Sequence, residues 1–343
     1  MTEASREPVS VVIPTYNRAH MVGDAINSVL EQCRADDEIL VADDGSSDDT
    51  AATVQQFGPP VRYIFQENAG AGAARNNGIS EARHDLIAFL DSDDLWQPGK
   101  LDRQVPLMTA RRDLVMSFSD FAVHHNDGRI SEWYLYSWHH DDRSWDEILG
   151  QSARLSDLTR QPFPEDGDPP VHIGSLYLAE MKASYVFTST VIARRSVAGR
   201  RLWFADHLKM YEDWVCFGRL AGAGPVAFIN AQLAVQRGHT EGRITDADAH
   251  VRARARVEVL RSVWGSDRKF LDKYFNYYSQ LYDEQQVIVA AGLTSEGQNE
   301  AARKVLREVS NAPAGHRLLA WLPSPVSQMI LAIRRRLRKL MGR

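Results

Sequence analysis

Two clusters of aspartates, each placed directly after an apolar run, constrain this chain more than any other feature. Asp43 and Asp44 follow Glu38-Ile39-Leu40-Val41-Ala42, and Asp91, Asp93 and Asp94 follow Leu86-Ile87-Ala88-Phe89-Leu90. These runs are two of four strands expected in the first third, the others being Val9-Ser10-Val11-Val12-Ile13 and Arg62-Tyr63-Ile64-Phe65. Helical patterns separate them: Met21, Val22, Ala25, Ile26, Val29 and Leu30 share one face, a second helix is expected over 50–57, and a small-residue helix over 71–82. Such βαβ repetition predicts a mostly parallel sheet flanked by helices, with ligands bound outside the carboxyl ends of the strands. The aspartates stand at those ends.

Several carboxylates brought to one edge raise each other's pKa unless a cation or a donor offsets the charge. A hard divalent ion does this, and Mg²⁺ is usually held by one or two carboxylates together with phosphate oxygens. Asp91-Ser92-Asp93 so placed points to a metal–diphosphate site. The competing reading is turn and N-cap chemistry, which favours the same residue types. Recurrence at two strand ends moves the balance toward the site.

Four motifs in order then carry a resemblance. Val9-Ser10-Val11-Val12-Ile13-Pro14-Thr15-Tyr16-Asn17-Arg18, Ala42-Asp43-Asp44-Gly45-Ser46-Ser47-Asp48-Asp49-Thr50, Asn68-Ala69-Gly70-Ala71-Gly72-Ala73-Ala74-Arg75-Asn76-Asn77-Gly78 and Leu90-Asp91-Ser92-Asp93-Asp94 resemble glycosyltransferase family 2. The resemblance is firm to about Leu101, returns over 184–239 and is absent from the tail. It implies an inverting transferase with the GT-A fold, a Rossmann-like sheet of the nucleotide-diphospho-sugar transferase superfamily, taking a sugar from a UDP-sugar with Mg²⁺ or Mn²⁺. By that match Pro14, Thr15, Tyr16 and Arg18 hold the nucleotide, the Tyr16 face suiting a stacked uracil. Asp44 accepts the base's imide hydrogen, Asp91 and Ser92 lie near the ribose, Asp93 is the metal ligand, and Arg75 approaches base or diphosphate. Tyr211-Glu212-Asp213-Trp214 resembles the family's Glu-Asp signature, making Asp213 the general base and Glu212 its neighbour. A free Asp, with a pKa near 3.9, is a weak base, so positioning and desolvation would have to help. His239, in Arg237-Gly238-His239, completes the metal shell or remains a surface histidine. Tyr16 could instead pack under a loop, and Arg75 could pair with Glu81 or Asp85.

The remainder is organised differently. Residues 123–172 are rich in His, Asp, Trp and Pro and read as an irregular insertion, whose Trp133, Tyr134, Tyr136, Trp138 and Trp145 pack on the core or form an acceptor platform. After about residue 246 the pattern is helical, with Leu271, Tyr274, Phe275, Tyr278, Leu281 and Tyr282 on one face. The expected organisation is a transferase domain over 1–245 (nucleotide-binding half 1–122, acceptor-side half 123–245), a helical C-terminal extension over 246–315 and a basic amphipathic tail over 316–343. Within 326–343, Met329, Ile330, Ile333, Leu337 and Leu340 alternate with Arg334, Arg335, Arg336, Arg338, Lys339 and Arg343. That pattern suits an anionic membrane surface, with Trp321 at the interface, or a basic helix docked on protein.

Net charge of −5 gives no general attraction to nucleic acid. Two distant cysteines, Cys33 and Cys216, exclude a disulfide framework and fit a reducing compartment. A polar start and no long apolar run predict a cytoplasmic protein without a spanning helix; the basic tail adds a peripheral place on the inner face of the membrane, and the family resemblance implies a glycan or lipid-linked acceptor. Two other classes compete: a catalytically silent sugar-nucleotide or membrane scaffold of the same fold, and a receiver-like phosphoacceptor. Asp213 has no purpose in the first, and the Pro14-Thr15-Tyr16-Asn17 loop none in the second.

Overall fold

The computed structural model describes residues 6–139, 141–164, 167–238, 247–310 and 312–340. The chain divides into two compact units, residues 1–241 and 242–343.

In the first unit the strands are β1 (Val9–Thr15), β2 (Glu38–Asp43), β3 (Val61–Phe65), β4 (Leu86–Phe89), β5 (Asp94–Trp96), β6 (Met116–His124), β7 (Ile130–Ser131), β8 (Ala153–Arg154), β9 (Pro170–Gly174), β10 (Ile192–Arg194) and β11 (Val226–Arg237). They join in one sheet ordered β3-β2-β1-β4-β10-β6-β11-β9-β8, with β5 paired to β11 and β7 to β6. The β3-β2-β1-β4 half is parallel throughout. Its two central strands β1 and β2 are buried along their whole length, as parallel strands covered on both faces must be. β10 then runs antiparallel to β4 and β6, a pairing that local sequence does not announce.

Strand order explains where the acids go. β2 and β4 flank β1, with Thr15 opposite Asp43 and Val12 opposite Phe89, so all three strands end at one edge. The Ala71–Glu81 helix lies close on β1: a Cβ at Gly78 would meet Val12 Cγ1 at 2.5 Å. That contact keeps Arg75, one turn earlier, near the sheet edge.

Residues 123–172 are less irregular than expected. β6 continues to His124, and short helices Tyr134–His139, Trp145–Leu149 and Leu155–Thr159 follow. Three of its five aromatics take the packing role: Trp145 stacks on Phe228 at 3.9 Å, and Trp138 and Tyr134 meet Phe121 edge-on, whereas Trp133 and Tyr136 are exposed.

The second unit is helical in its described residues: Ala249–Val263, Arg268–Ser295, Asn299–Arg307, Ala314–Trp321 and Ser324–Leu340. The expected division at 315/316 falls inside the fourth of these. The single aromatic face expected from residue 271 onward is interrupted, because Tyr274 has non-helical angles (φ −124, ψ 19) that kink the long helix. Leu281 is buried beyond the kink, whereas Phe275 faces solvent. A small core of Ala253, Val289, Ala290, Leu293, Ala302, Leu306 and Ala320 holds the unit. Among the described residues no helix is long and apolar enough to cross a membrane.

Candidate active site

The loop after β1 ties the two acid clusters together. Asn17 N donates to Ser46 Oγ at 2.8 Å, Ser47 N donates to Asn17 Oδ1 at 2.8 Å, and Arg18 N donates to Thr50 Oγ1 at 3.0 Å. The loop is thus fastened to the segment after β2. On its other side, Arg18 Nε lies 3.8 Å from Asp93 Oδ2, after β4. Pro14 and Thr15 are buried, and the buried Thr15 hydroxyl has no hydrogen-bond partner. Tyr16 is about half exposed rather than packed under the loop.

The neighbours Asp43 and Asp44 divide their work. Asp43 accepts from Tyr63 Oη at 2.6 Å and from Ser46 N at 2.8 Å, so it is turn chemistry. Asp44 is buried and clamps the entrance of the Ala71–Glu81 helix, accepting from Ala69 N and Gly70 N at 2.8 Å and from Gln66 Nε2 at 2.8 Å. The turn needs Gly45, which has φ +82 and whose Cβ would stand 2.9 Å from Asn68 N.

Arg75 is the hub of the site. Its side chain is 7% exposed, and its two terminal nitrogens reach Asp91 Oδ1 at 2.6 Å and Glu212 Oε1 at 2.9 Å. The surface pairing with Glu81 or Asp85 therefore does not form; those acids pair with Arg62 and Arg194. Burial opposes the guanidinium charge, but Asp91 and Glu212 more than offset it, so the pKa is raised and the cation is permanent. The planar fork suits bridging two carboxylates. Asn76, next in the helix, exchanges two hydrogen bonds with the backbone of Phe204, whose ring lies under the Arg75 guanidinium at 5.1 Å.

Asp213 follows Glu212 at the start of the Glu212–Ala221 helix, behind Tyr211 in the left-handed region (φ 66). A non-glycine residue held there at a site edge is a local strain the surroundings must maintain. Asp213 Oδ1 accepts from Trp214 N at 2.7 Å, and Oδ2 accepts from Thr188 Oγ1 at 3.4 Å. Burial and the neighbouring Glu212 charge push its pKa up to about 7, with Arg75 pulling the other way.

Ser189 is a site residue that the sequence did not reveal. Its hydroxyl accepts from Asp91 N at 3.1 Å and donates to Asp94 Oδ2 at 2.6 Å, while its carbonyl accepts from Trp96 Nε1 at 2.8 Å. Burial first, then Asp93 and Asp91, raise the Asp94 pKa well above the carboxylate range. Ser92 is buried between them. Among the described residues no group of three or more His, Cys, Asp and Glu could by itself hold a metal ion. His239 lies outside the described residues. Asp91 pairs with Arg75 and Asp94 with Ser189, and Asp93 lies 3.8 Å from Arg18. One carboxylate suffices for a hard ion whose other ligands are phosphate and water.

Residues 10–155 match the family model described as Glycosyl transferase family 2. A relative from Escherichia coli, the UDP-Glc:alpha-D-GlcNAc-diphosphoundecaprenol beta-1,3-glucosyltransferase WfgD, is 36% identical over 126 residues, covering 36% of this chain and 49% of WfgD. Matches to such curated relatives span 15% to 59% of the relatives' own length. Among solved structures, S. aureus TarS 1–349 in complex with UDP-GlcNAc aligns with a TM-score of 0.62 at 14% identity, over 98% of this chain and 92% of that one. The mannosyltransferase PcManGT from Pyrobaculum calidifontis, in complex with GDP-Man and Mn²⁺, aligns at 0.51 and 16% identity, over 99% and 89%. The shared architecture is the GT-A fold.

Proposed function

We propose that the chain, whose residues 10–155 match the family model described as Glycosyl transferase family 2, transfers a sugar, with inversion, from a UDP-sugar to a hydroxyl of a glycan or lipid-linked acceptor. The observation that carries this reading is the Asp91–Arg75–Glu212 bridge, with Asp213 beside it, at the carboxyl edge of β1, β2 and β4. It joins the acids after β4 to the Glu-Asp pair, 137 residues from Arg75, into one charged constellation.

Each side chain has a task under this reading. Tyr16 offers an exposed ring for the base, and Asp44 fixes the loop beside it. Asp213 takes the acceptor hydroxyl's proton as that oxygen attacks. With a pKa near 7 it is substantially ionised at neutral pH and yet basic enough to hold the proton. Glu212 and Asp91, held by Arg75, keep a negative wall that sustains this value. Mg²⁺ or Mn²⁺, held by Asp93, with His239 as a second ligand, would neutralise the leaving diphosphate. WfgD, named for a diphosphoundecaprenol acceptor, and TarS, crystallised with UDP-GlcNAc, support a UDP donor and a membrane-side acceptor. The cationic 326–343 segment supports work at the inner face of a membrane.

The test is a panel of sugar nucleotides scored for thermal stabilisation with Mg²⁺ or Mn²⁺, followed by transfer or donor hydrolysis with the donor found. Asp213→Asn should lower turnover by roughly 10²–10⁴-fold, the contribution expected of a positioned base, with UDP affinity unchanged. Tight donor binding with no turnover in the wild type would instead identify a silent scaffold.

A further inference from the structure

The last two helices leave large apolar side chains facing outward, beyond those they bury, such as Leu319 and Ala320. In Ser324–Leu340 the most buried position is polar, with Ile330 and Leu331 half-buried. Ser327 is 0% exposed and accepts from Asn299 Nδ2 at 3.1 Å, and Ser324 Oγ donates to Gly297 O at 2.8 Å. The apolar residues Val326, Met329 and Ile333, spaced three and four apart, face outward, with Met329 58% and Ile333 50% exposed. On Ala314–Trp321 the pair Leu318 and Trp321, 64% and 67% exposed, also points outward. An ordinary amphipathic helix buries its apolar stripe and hydrates its polar one. Five large apolar side chains left outward within sixteen residues need a non-aqueous neighbour.

Charge says which neighbour. No acid follows Glu308, whereas Arg317, Arg334, Arg335, Arg336, Arg338, Lys339 and Arg343 do, giving seven cations in the last 35 residues. Exposed Lys304 and Arg307 line a groove with Trp321, over whose ring the Arg303 guanidinium sits at 5.3 Å. Apolar side chains in a stretch whose sequence carries cations and no acid are the chemistry of the headgroup boundary of an anionic bilayer, where the rings and alkyl groups enter the acyl layer and the cations meet phosphate.

We propose that Leu318, Trp321, Val326, Met329 and Ile333 form one membrane-docking surface that seats both helices flat on an anionic lipid bilayer. This deepens the membrane-side acceptor reading above and rests on it for its purpose. Its test needs neither donor nor acceptor, so the two can fail separately.

The full chain should co-sediment with vesicles of mixed phosphatidylglycerol and phosphatidylcholine, much less with phosphatidylcholine alone, and less as salt rises. Met329→Asp with Ile333→Asp should weaken partition at least about tenfold, while the melting temperature and metal-dependent UDP binding stay unchanged because both side chains point outward. Lys304→Gln with Arg307→Gln gives a second handle that leaves the apolar face intact, and should cost roughly tenfold on anionic vesicles only. Failure to partition on anionic vesicles, or partition indifferent to both double variants, overturns the proposal. So does self-association abolished by Met329→Asp/Ile333→Asp without vesicle binding, which would give the face to a second copy of the chain.

Discussion

At the carboxyl edge of the sheet charge is buried, and in the last two helices apolar surface is exposed. The first departure is held in place by partners: Arg75 between Asp91 and Glu212, Ser189 between Asp91 and Asp94, Trp214 N on Asp213. The second is held by a polar seam, Asn299 with Ser327, that fixes one side of a helix and leaves the other outward. Each region departs from the usual burial rule. The two costs differ in kind. Buried charge is expensive and fails when one partner is lost, whereas exposed apolar surface costs little in folding and acts through what later covers it.

That contrast can be broken most forcefully at Arg75. Arg75→Met leaves Asp91 and Glu212 as uncompensated charges, and should destabilise the protein by about 3–5 kcal/mol in denaturant unfolding. Arg75→Lys should recover little of it, because a single ammonium does not span two carboxylates as a fork does. A wild-type-like midpoint in Arg75→Met would show that the cluster is hydrated and the contrast false.

A smaller effect separates binding from folding at the same edge. Asp93→Ala should reduce metal-dependent UDP affinity by at least about tenfold, read by calorimetry with and without Mn²⁺, with little change in the unliganded melting temperature. Undiminished metal-dependent binding in Asp93→Ala removes Asp93 from its assigned role.

Acidity offers a subtler probe. Asp213 holds its proton more tightly in the folded chain than in the unfolded one, from a reference of 3.8 to about 7. Stability from this group is therefore complete below pH 4 and is lost as pH rises to about 7. Asp213→Asn should flatten that part of the stability profile and raise the melting temperature at pH 8 by roughly 2–5 °C. In the wild type, turnover should rise through an apparent pKa near 7 on the acid side. A rate that is flat from pH 5 to pH 8 excludes Asp213 as a base with this value.

The smallest effects belong to the helical unit. Ser327→Val removes the buried hydroxyl that Asn299 meets and should cost about 1 kcal/mol, while Met329→Ser, two residues on, should stay within about 0.5 kcal/mol. Equal costs would mean that the polar seam does not fix this helix.

Much of the first unit was legible because its signals are local. β-branched runs, helical spacing and the placement of Asp44 and Asp93 after strands follow from neighbours in sequence, and the family motifs add the roles. Arg75 was legible as a residue but not as a hub: its partners lie 16 and 137 positions away. Ser189 carried no signal, since it enters through the short turn before β10, whose antiparallel pairing with β4 is a long-range event. The raised pKa of Asp213 was equally hidden, because it depends on burial and on charges brought in by other elements. In the tail, helical spacing identified an amphipathic helix but not which side it would turn outward.

The sequence alone thus determined the four strands and intervening helices of the first third, the acids at the strand ends and the cationic tail, each written within a few residues by side-chain period, backbone preference or charge. Tertiary structure decided which acids share a partner, how strongly Asp213 holds its proton and which stripe of the last helix meets solvent. Those quantities depend on distance and desolvation between segments far apart in the chain, and no local pattern encodes them.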